Sequence, residues 1–165
     1  MGQGAAGRLD PVIDNEVMTL HIPHLVSIGY EGRSVEDLVR ALQLQNVQVL
    51  VDVRLTPISR KRGFSKTALS DALAAAGITY VHHRELGNPK DNRDAYRRGI
   101  QASRDRFERL LATDKASYAL QHVSELLDEG TVALLCFERD HSQCHRDQVV
   151  DALKAEVRSL AVTNA

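Results

Sequence analysis

Four short apolar runs punctuate the chain, with helical patterns between them. The runs span residues 25–28, 47–53, 78–81 and 131–135 and consist largely of β-branched residues, leucine and alanine. Such short, mostly β-branched runs favour strands. The run 47–53 is dominated by valine and leucine, as in a strand that is buried on both faces of a parallel sheet. The pattern therefore predicts four strands.

Helical periodicity follows the first run. Ser34 and Asp37 form a capping-box pattern with the shorter acid. Apolar residues at i, i+3, i+4 and i+7 then form one stripe, made of Val35, Leu38, Val39 and Leu42. A second helix is predicted between Ser65 as its N-cap and Gly77 as its end. Further helices are predicted around residues 107–111 and 120–127 and from about His145 onward.

Alternation of strand and helix patterns indicates right-handed βαβ crossovers. We therefore predict an α/β fold of the Rossmann-like kind, with a mainly parallel sheet between two layers of helices. Residues 21–157 would form this single domain. Residues 1–20, rich in small and polar residues, are predicted to be a flexible arm, and residues 158–165 a frayed tail. The polar stretch 82–104 is predicted to be a lid or loop, although its pattern does not decide how much of it is helical.

The bulk composition narrows the function classes. The chain has 165 residues, 43% of them hydrophobic, with 21 Lys plus Arg against 22 Asp plus Glu. The net charge of −1 gives no general attraction to nucleic acid or membranes. No membrane span or signal-peptide pattern is evident, so a cytoplasmic location is expected, where the two cysteines would be reduced thiols.

In a parallel sheet, ligands bind outside the carboxyl ends of the strands, so the residues that follow each strand are site candidates. Gly29, Tyr30 and Gly32 follow the first strand. The glycines would let the backbone approach a ligand, although a tight strand-to-helix turn also needs glycine. These three residues are therefore candidate substrate contacts.

Charged residues follow the second strand. Asp52 and Arg54 form either a structural pair or part of an anion site. Ser59 and Arg60 are candidate phosphate contacts. The basic run 60–62, made of Arg60, Lys61 and Arg62, is either a solvated surface or a contact for phosphate or nucleic acid.

Two adjacent histidines, His82 and His83, follow the third strand. Neighbouring side chains on a strand point to opposite faces of the sheet. At most one of the two is therefore expected to reach a common site.

The segment after the fourth strand carries the most chemistry. Cys136 ends the strand, Glu138 follows, and Cys144, His145 and Arg146 open the last helix. One interpretation is a reactive thiolate favoured by the helix dipole and the two cations. A second is a metal site, although seven residues between the cysteines match no standard zinc spacing. A third is phosphate binding by Arg146, with both cysteines as packing residues.

Taken together, the segments SIGYEGRS, VDVRLTPISRKRGFS, YVHHRELG and LLCFERDHSQCHR closely resemble the domain of unknown function 488 family. The resemblance runs from about Leu25 to Leu153 and implies an α/β fold with helices flanking a sheet, but no settled activity. The residues that match the family pattern are Gly29, Tyr30, Gly32, Asp52, Arg54, Pro57, Ser59, Phe64, Leu86, Gly87, Cys136, Glu138, Cys144, His145 and Arg146.

The chain is also similar, more loosely, to sulfurtransferases of the rhodanese type. These proteins have an early strand ending in Asp-x-Arg and a catalytic cysteine between a later strand and a helix, as do Asp52, Arg54 and Cys136. The loop 137–143 departs from that pattern, because it lacks glycine and is acidic, which disfavours a cradle of backbone N–H groups for an anion.

Two functions follow from these observations. The first is an enzyme in which Cys136 is the nucleophile or redox thiol, Cys144 resolves it, and Glu138 or His145 moves the proton. Arg54 and Arg146 would orient a small anionic substrate, and a phosphate-bearing one fits these cations best. The second is a nucleotide or nucleic-acid binder that uses the candidates Asp52, Arg54, Ser59, Arg60 and Arg146. Neither requires a cofactor or a metal, and the sequence does not indicate an oligomeric state.

Overall fold

The computed structural model describes residues 20–165, so positions 1–19 of the predicted flexible arm lie outside the described part. Within the described part, the strands are β1 His24–Gly29, β2 Val49–Asp52, β3 Thr79–His82, β4 Val132–Cys136 and β5 Ala161–Asn164. The α-helices are α1 Val35–Leu44, α2 Lys66–Ala75, α3 Lys90–Arg97, α4 Gln101–Leu111, α5 Asp114–Glu129 and α6 Arg146–Glu156. No helix among these is both long and apolar enough to cross a membrane.

The strands form one parallel sheet in the order β3-β2-β4-β1-β5. Residues of α1 and α2 share one hydrophobic core with one face of the sheet. Residues of α4, α5 and α6 share a second core with the other face. The predicted α/β fold, with helices on both faces of a parallel sheet, is therefore confirmed.

Strand β4 lies in the middle of the sheet between β1 and β2, and all five of its residues are buried. Its last residue, Cys136, is in register with Gly29 at the end of β1. Leu135 is in register with Asp52 at the end of β2. The carboxyl ends of these three strands therefore meet at one edge, which is the usual position of ligand sites in such sheets.

Local signals at the start of α1 are confirmed. The backbone N–H of Asp37 donates to Ser34 Oγ at 3.1 Å, and the backbone N–H of Ser34 donates to Asp37 Oδ2 at 3.2 Å. This is the predicted capping box, which provides acceptors for backbone donors that have no partner within the helix. Ser65 precedes α2 as its N-cap residue, but its side chain makes no capping hydrogen bond.

The stretch 82–104 was expected to be a lid or loop, and this expectation is wrong. It contains a 3₁₀ turn at Arg84–Leu86, helix α3 and the first residues of α4. Asn92, on the buried side of α3, makes polar contacts with the segments before and after the helix: its Nδ2 donates to Asn88 Oδ1 at 2.9 Å, and Ser103 Oγ of α4 donates to its Oδ1 at 2.8 Å. Hydrophobic periodicity does not detect a helix that is buried through such contacts.

The chain end also differs from the expected frayed tail. Residues 158–165 include strand β5, which pairs in parallel with β1. The backbone N–H groups of Ala161 and Ala165 donate to Pro23 O and Ser27 O, both at 2.9 Å. Val162 packs against the hydrophobic core. The segment is short and none of its residues is fully buried, so it carries little apolar signal, but it pairs with the edge of β1.

Deleting residues 161–165 is expected to lower the free energy of unfolding by about 1–3 kcal/mol, because Val162 loses its apolar contacts and β1 becomes an edge strand. Urea denaturation followed by circular dichroism measures the change. A Thr163→Ala variant, which keeps the strand but loses the contact of Thr163 Oγ1 with His24 Nε2, should lose less. An unchanged midpoint for the deletion would contradict the structural role of β5.

Candidate functional site

A small cleft of about 170 Å³ opens at the carboxyl ends of β4, β1 and β2. Both cysteines, three arginines and several aromatic residues line it. The lining is Tyr30, Arg54, Leu55, Thr56, Ile58, Asn88, Arg93, Tyr96, Arg97, Cys136, Phe137, Glu138, Gln143, Cys144 and His145. The cleft thus combines candidate nucleophiles with positive charge and is small enough to favour a small molecule.

Cys136, Cys144 and His145 converge on one point of the cleft wall. The Nδ1 atom of His145 lies 3.8 Å from Cys136 Sγ and 3.6 Å from Cys144 Sγ. Both cysteines are buried free thiols. Strand β4 positions Cys136, and the turn before α6 positions the other two residues. The predicted gathering of thiols and imidazole is therefore present in the folded chain.

The orientation of the His145 ring is fixed from behind. Its Nε2 atom lies 3.0 Å from the carbonyl oxygen of Val53, just beyond the end of β2. A carbonyl can only accept, so Nε2 carries a proton and donates it. In the neutral ring Nδ1 is then an acceptor that faces both sulfurs. The edge-to-face contact of the ring with Phe107, at 5.2 Å between centroids, holds the same orientation.

The two thiols differ in acidity. A hydrogen bond from Cys144 lowers the pKa of Cys136 well below its usual range, against the opposing effect of burial, and the positive charge of His145 lowers it further. Burial raises the pKa of Cys144, and its hydrogen bond to Cys136 adds to that effect. Burial also opposes ionisation of His145, but the charge of Cys136 outweighs it and raises the His145 pKa. The directions of these pKa shifts together favour a Cys136 thiolate beside a protonated His145.

The Glu138 carboxylate competes with His145 as the acceptor of the Cys136 proton. Its Oε2 atom lies 3.2 Å from Cys136 Sγ, which as a thiol would donate to it. A thiolate at that position would instead repel the carboxylate. Arg97 offsets that repulsion, since its NH2 group forms a salt bridge to Glu138 Oε1 at 2.9 Å. We favour the thiolate state because Cys144, His145 and Arg146 all stabilise negative charge on Cys136.

Arg146, predicted to hold a phosphate, lies behind the cleft wall. Its side chain is fully buried, and its NH2 group donates to the carbonyl oxygen of Glu138 at 2.6 Å. Its Nε and NH1 atoms have no hydrogen-bond partner among the residues that the structure describes. Arg146 therefore stabilises the loop after β4, and its charge lowers the pKa of Cys136 from within the protein.

Asp52 and Arg54 form a buried pair at the end of β2. Arg54 NH2 donates to Asp52 Oδ2 at 2.6 Å, and Nε donates to both carboxylate oxygens. Arg54 NH1 donates to the carbonyl oxygen of Phe64 at 2.7 Å and to the Tyr30 hydroxyl at 3.3 Å. These contacts occupy most of the five guanidinium donors. Although Arg54 lines the cleft, its geometry fits the structural alternative.

The glycines of the first turn have different roles. A Cβ atom on Gly29 would lie 1.9 Å from the carbonyl oxygen of Glu138, so the loop after β4 packs directly on this position. Gly32 has φ +73° and few neighbours, as a turn residue does. Tyr30 lies between them, stacks on Phe64 at 4.4 Å between ring centroids and lines the cleft. Of the three candidates only Tyr30 contributes a side chain to the cleft.

Replacing Gly29 with alanine is expected to lower the free energy of unfolding by about 3 kcal/mol, because the added methyl group collides with backbone rather than with a flexible side chain. Gly77→Ala is the matched control, since its added methyl group lies in open space. Its cost comes only from the backbone strain of an alanine at a φ of +74°. That control should cost about 1 kcal/mol. Chemical denaturation compares the two, and equal losses would contradict the close approach at Gly29.

The remaining candidates lie away from the cleft wall. Ser59 Oγ accepts from the backbone N–H of Lys61 at 3.1 Å, and Lys61 Nζ donates to the carbonyl oxygen of Tyr30 at 3.3 Å. Arg60 and Arg62 are exposed. The structure thus places the run 60–62 beside the cleft rather than in it, and nucleic-acid binding by this run stays a prediction.

Neither histidine of the third strand end joins the cysteines. His82 Nε2 lies 2.8 Å from the carbonyl oxygen of Arg54. His83 Nε2 lies 2.8 Å from His122 Nδ1 on α5, on a different part of the surface. The expectation that adjacent histidines diverge fits this arrangement.

The sequence argument missed three polar cleft residues in the stretch 82–104 that bear directly on substrate binding: Asn88, Arg93 and Arg97. They belong to the stretch that was expected to be a loop. Arg93 and Arg97 are four residues apart on α3, so they lie on one face of that helix. A helical assignment for 90–97 would have revealed this pair of cations.

Of three comparisons with known proteins, one gave a match, which is to a family model. Neither the curated proteins nor the solved structures contain a match to this chain. The sequence model of the family described as "Domain of unknown function DUF488" matches residues 34–153, which is more than half of the chain. The chain therefore belongs to this family, as the motifs at its strand ends indicated.

Proposed function

We propose that the protein is an enzyme in which Cys136 attacks a small anionic substrate bound in the cleft. The observation that carries this proposal is the position of His145 Nδ1, 3.8 Å from Cys136 Sγ. The other ring nitrogen, Nε2, donates a hydrogen bond to Val53 O, which fixes the ring. A nucleophile next to an oriented base is the arrangement that activates a thiol for covalent catalysis.

The proposed reaction starts from the ion pair described above, in which the thiol proton of Cys136 has already passed to His145 Nδ1. The thiolate electron pair then forms a bond from Sγ to an electrophilic atom of the substrate. The leaving group departs with the electron pair of the broken bond and receives the proton from Nδ1. Cys144, whose pKa burial raises, remains protonated and stabilises the Cys136 thiolate through a hydrogen bond between the two sulfurs.

The charge of the cleft supports an anionic substrate. Arg93 lines the cleft, and among residues 20–165 its side chain makes one hydrogen bond, from Nε to the carbonyl oxygen of Asn88 at 3.1 Å. Its two terminal nitrogens have the geometry that binds carboxylate or phosphate oxygens in pairs. Arg97 also lines the cleft, although Glu138 neutralises part of its charge. These α3 arginines replace Arg146 as the groups expected to contact the substrate.

Alkylation with two reagents of similar size tests both parts of the proposal. Iodoacetate is anionic and iodoacetamide is neutral, so their rate ratio at Cys136, divided by the ratio for a free thiol, reports attraction of an anion to the cleft. We expect the normalised ratio to favour iodoacetate by about tenfold in the metal-free protein, since paired arginines concentrate anions. Mass spectrometry of peptides assigns the modified cysteine.

Arg93→Gln is the informative variant and Arg98→Gln its control. Arg98 follows α3 directly but is largely exposed, pairs with Asp94 and does not line the cleft. The iodoacetate preference should fall at least several-fold in Arg93→Gln and persist in Arg98→Gln. Slow modification of Cys136 by both reagents would refute the nucleophile, whereas fast modification without an anionic preference would refute only the substrate class.

A further inference from the structure

We infer that Cys136, Cys144 and His145 also form a binding site for one zinc-like divalent metal ion, with its fourth ligand position open to the cleft. The two Sγ atoms and Nδ1 all lie within 4.8 Å of one another. Thiolate and imidazole are the ligands that zinc prefers, and two cysteines plus one histidine is a known set for zinc sites with an open position.

The separations of these atoms fit one metal centre. With zinc–sulfur bonds of about 2.3 Å and zinc–nitrogen bonds of about 2.0–2.1 Å, ligands at tetrahedral angles lie about 3.5–3.6 Å apart for sulfur and nitrogen. The separations here are 3.8 Å and 3.6 Å. The sulfur–nitrogen separations of the metal-free protein are therefore already close to those of the occupied site.

The surroundings of His145 support the same inference. A histidine that ligates a metal usually donates its other ring N–H to a carbonyl or carboxylate, which fixes the ring. The contact from Nε2 to Val53 O is of this kind and leaves Nδ1 for the metal. The unusual spacing between the cysteines is accommodated because Cys136 ends a strand, whereas Cys144 returns to it after a 3₁₀ turn at His141–Gln143.

Charge and access are also suitable. Two thiolates balance the two positive charges of the ion, and binding releases to solvent the proton of Cys144 and the proton held between Cys136 and His145. All three ligands line the cleft, so its space can supply the fourth ligand as water or as an anion. In the bound state Cys136 is a ligand and no longer a free nucleophile. Given the proposed function, zinc would therefore inhibit alkylation of Cys136.

Titration of the metal-free, reduced protein with Co²⁺ alone tests the inference. We expect one ion per chain, with the intense visible bands of tetrahedral cobalt and near-ultraviolet bands from thiolate coordination. Zn²⁺ should then displace cobalt and bleach the spectrum. Weak octahedral bands, or the absence of stoichiometric binding by the wild-type protein, would overturn the inference without any variant being needed.

Variants locate the ion. Cys144→Ser and His145→Gln should each weaken cobalt binding at least tenfold, with circular dichroism confirming that they fold. His83→Gln is the control, because the pair of His83 and His122 is the competing imidazole site. Binding lost in His83→Gln but kept in Cys144→Ser would overturn the assignment. Cys136 alkylation without metal is a separate readout, so the proposed function and the metal site can fail independently.

Discussion

Replacing Arg54 with methionine is expected to lower the free energy of unfolding by about 3–5 kcal/mol, because Asp52 would remain buried without its partner. Asp52 is fully buried and accepts from Arg54 Nε and NH2 and from the Tyr80 hydroxyl at 2.6 Å. The methionine side chain supplies similar bulk but no donors. Guanidinium chloride denaturation at neutral pH measures the loss.

The double variant Asp52→Leu with Arg54→Met separates pairing from packing. Removing both charges of a buried pair often costs much less than removing one, so the double variant should recover part of the stability lost by Arg54→Met. Tyr80→Phe, which removes one donor to Asp52, should cost about 1–2 kcal/mol. An Arg54→Met protein as stable as the wild type would show that Arg54 is free for another task, such as substrate binding.

Substitution of His145 by glutamine is expected to slow alkylation of Cys136 roughly tenfold or more at neutral pH, because the Cys136 thiol loses the imidazole that accepts its proton and stabilises the thiolate. The glutamine amide nitrogen can still donate to Val53 O, as Nε2 does in the wild type. The variant thus removes the base while a donor to that carbonyl is kept. Rates with iodoacetamide in metal-free buffer, resolved by peptide mass spectrometry, measure the effect.

His82→Gln is the control for this experiment. His82 is half-buried, whereas His145 is buried, but it too contacts a carbonyl oxygen just beyond the end of β2, that of Arg54 at 2.8 Å. It does not line the cleft. Its substitution should therefore leave the Cys136 rate within a factor of about two. If both variants slow alkylation equally, the effect comes from loosening of the sheet edge and not from loss of the base.

The sheet was predictable from the sequence because buried parallel strands are nearly continuous apolar runs. All residues of β4 are buried, and the apolar run 131–135 predicts this strand directly. Strand β5 was not predicted because it is an edge strand of only four residues, of which Val162 packs against the hydrophobic core. Helix α3 escaped for a related reason: Asn92 is buried through hydrogen bonds, which hydrophobic periodicity does not register.

The position of the candidate site could be predicted from the sequence, but the role of each residue in it could not. The rule that ligands bind at the carboxyl ends of parallel strands placed Cys136, Cys144 and His145 together. It did not distinguish a cation on the cleft wall from one beneath it, as Arg146 is. That distinction depends on how the loop after β4 packs on Gly29. Arg93 and Arg97 could be predicted to lie on one face only after 90–97 had been assigned as a helix.

The most direct test of the central claim is the order in which the two thiols react. Metal-free, reduced protein is treated with limiting iodoacetamide at neutral pH, and the fraction of each cysteine modified is followed by mass spectrometry. A Cys136 thiolate beside His145 predicts that Cys136 is modified at least tenfold faster than Cys144, which burial keeps protonated. Equal rates, or faster modification of Cys144, would contradict the assignment of Cys136 as the reactive group.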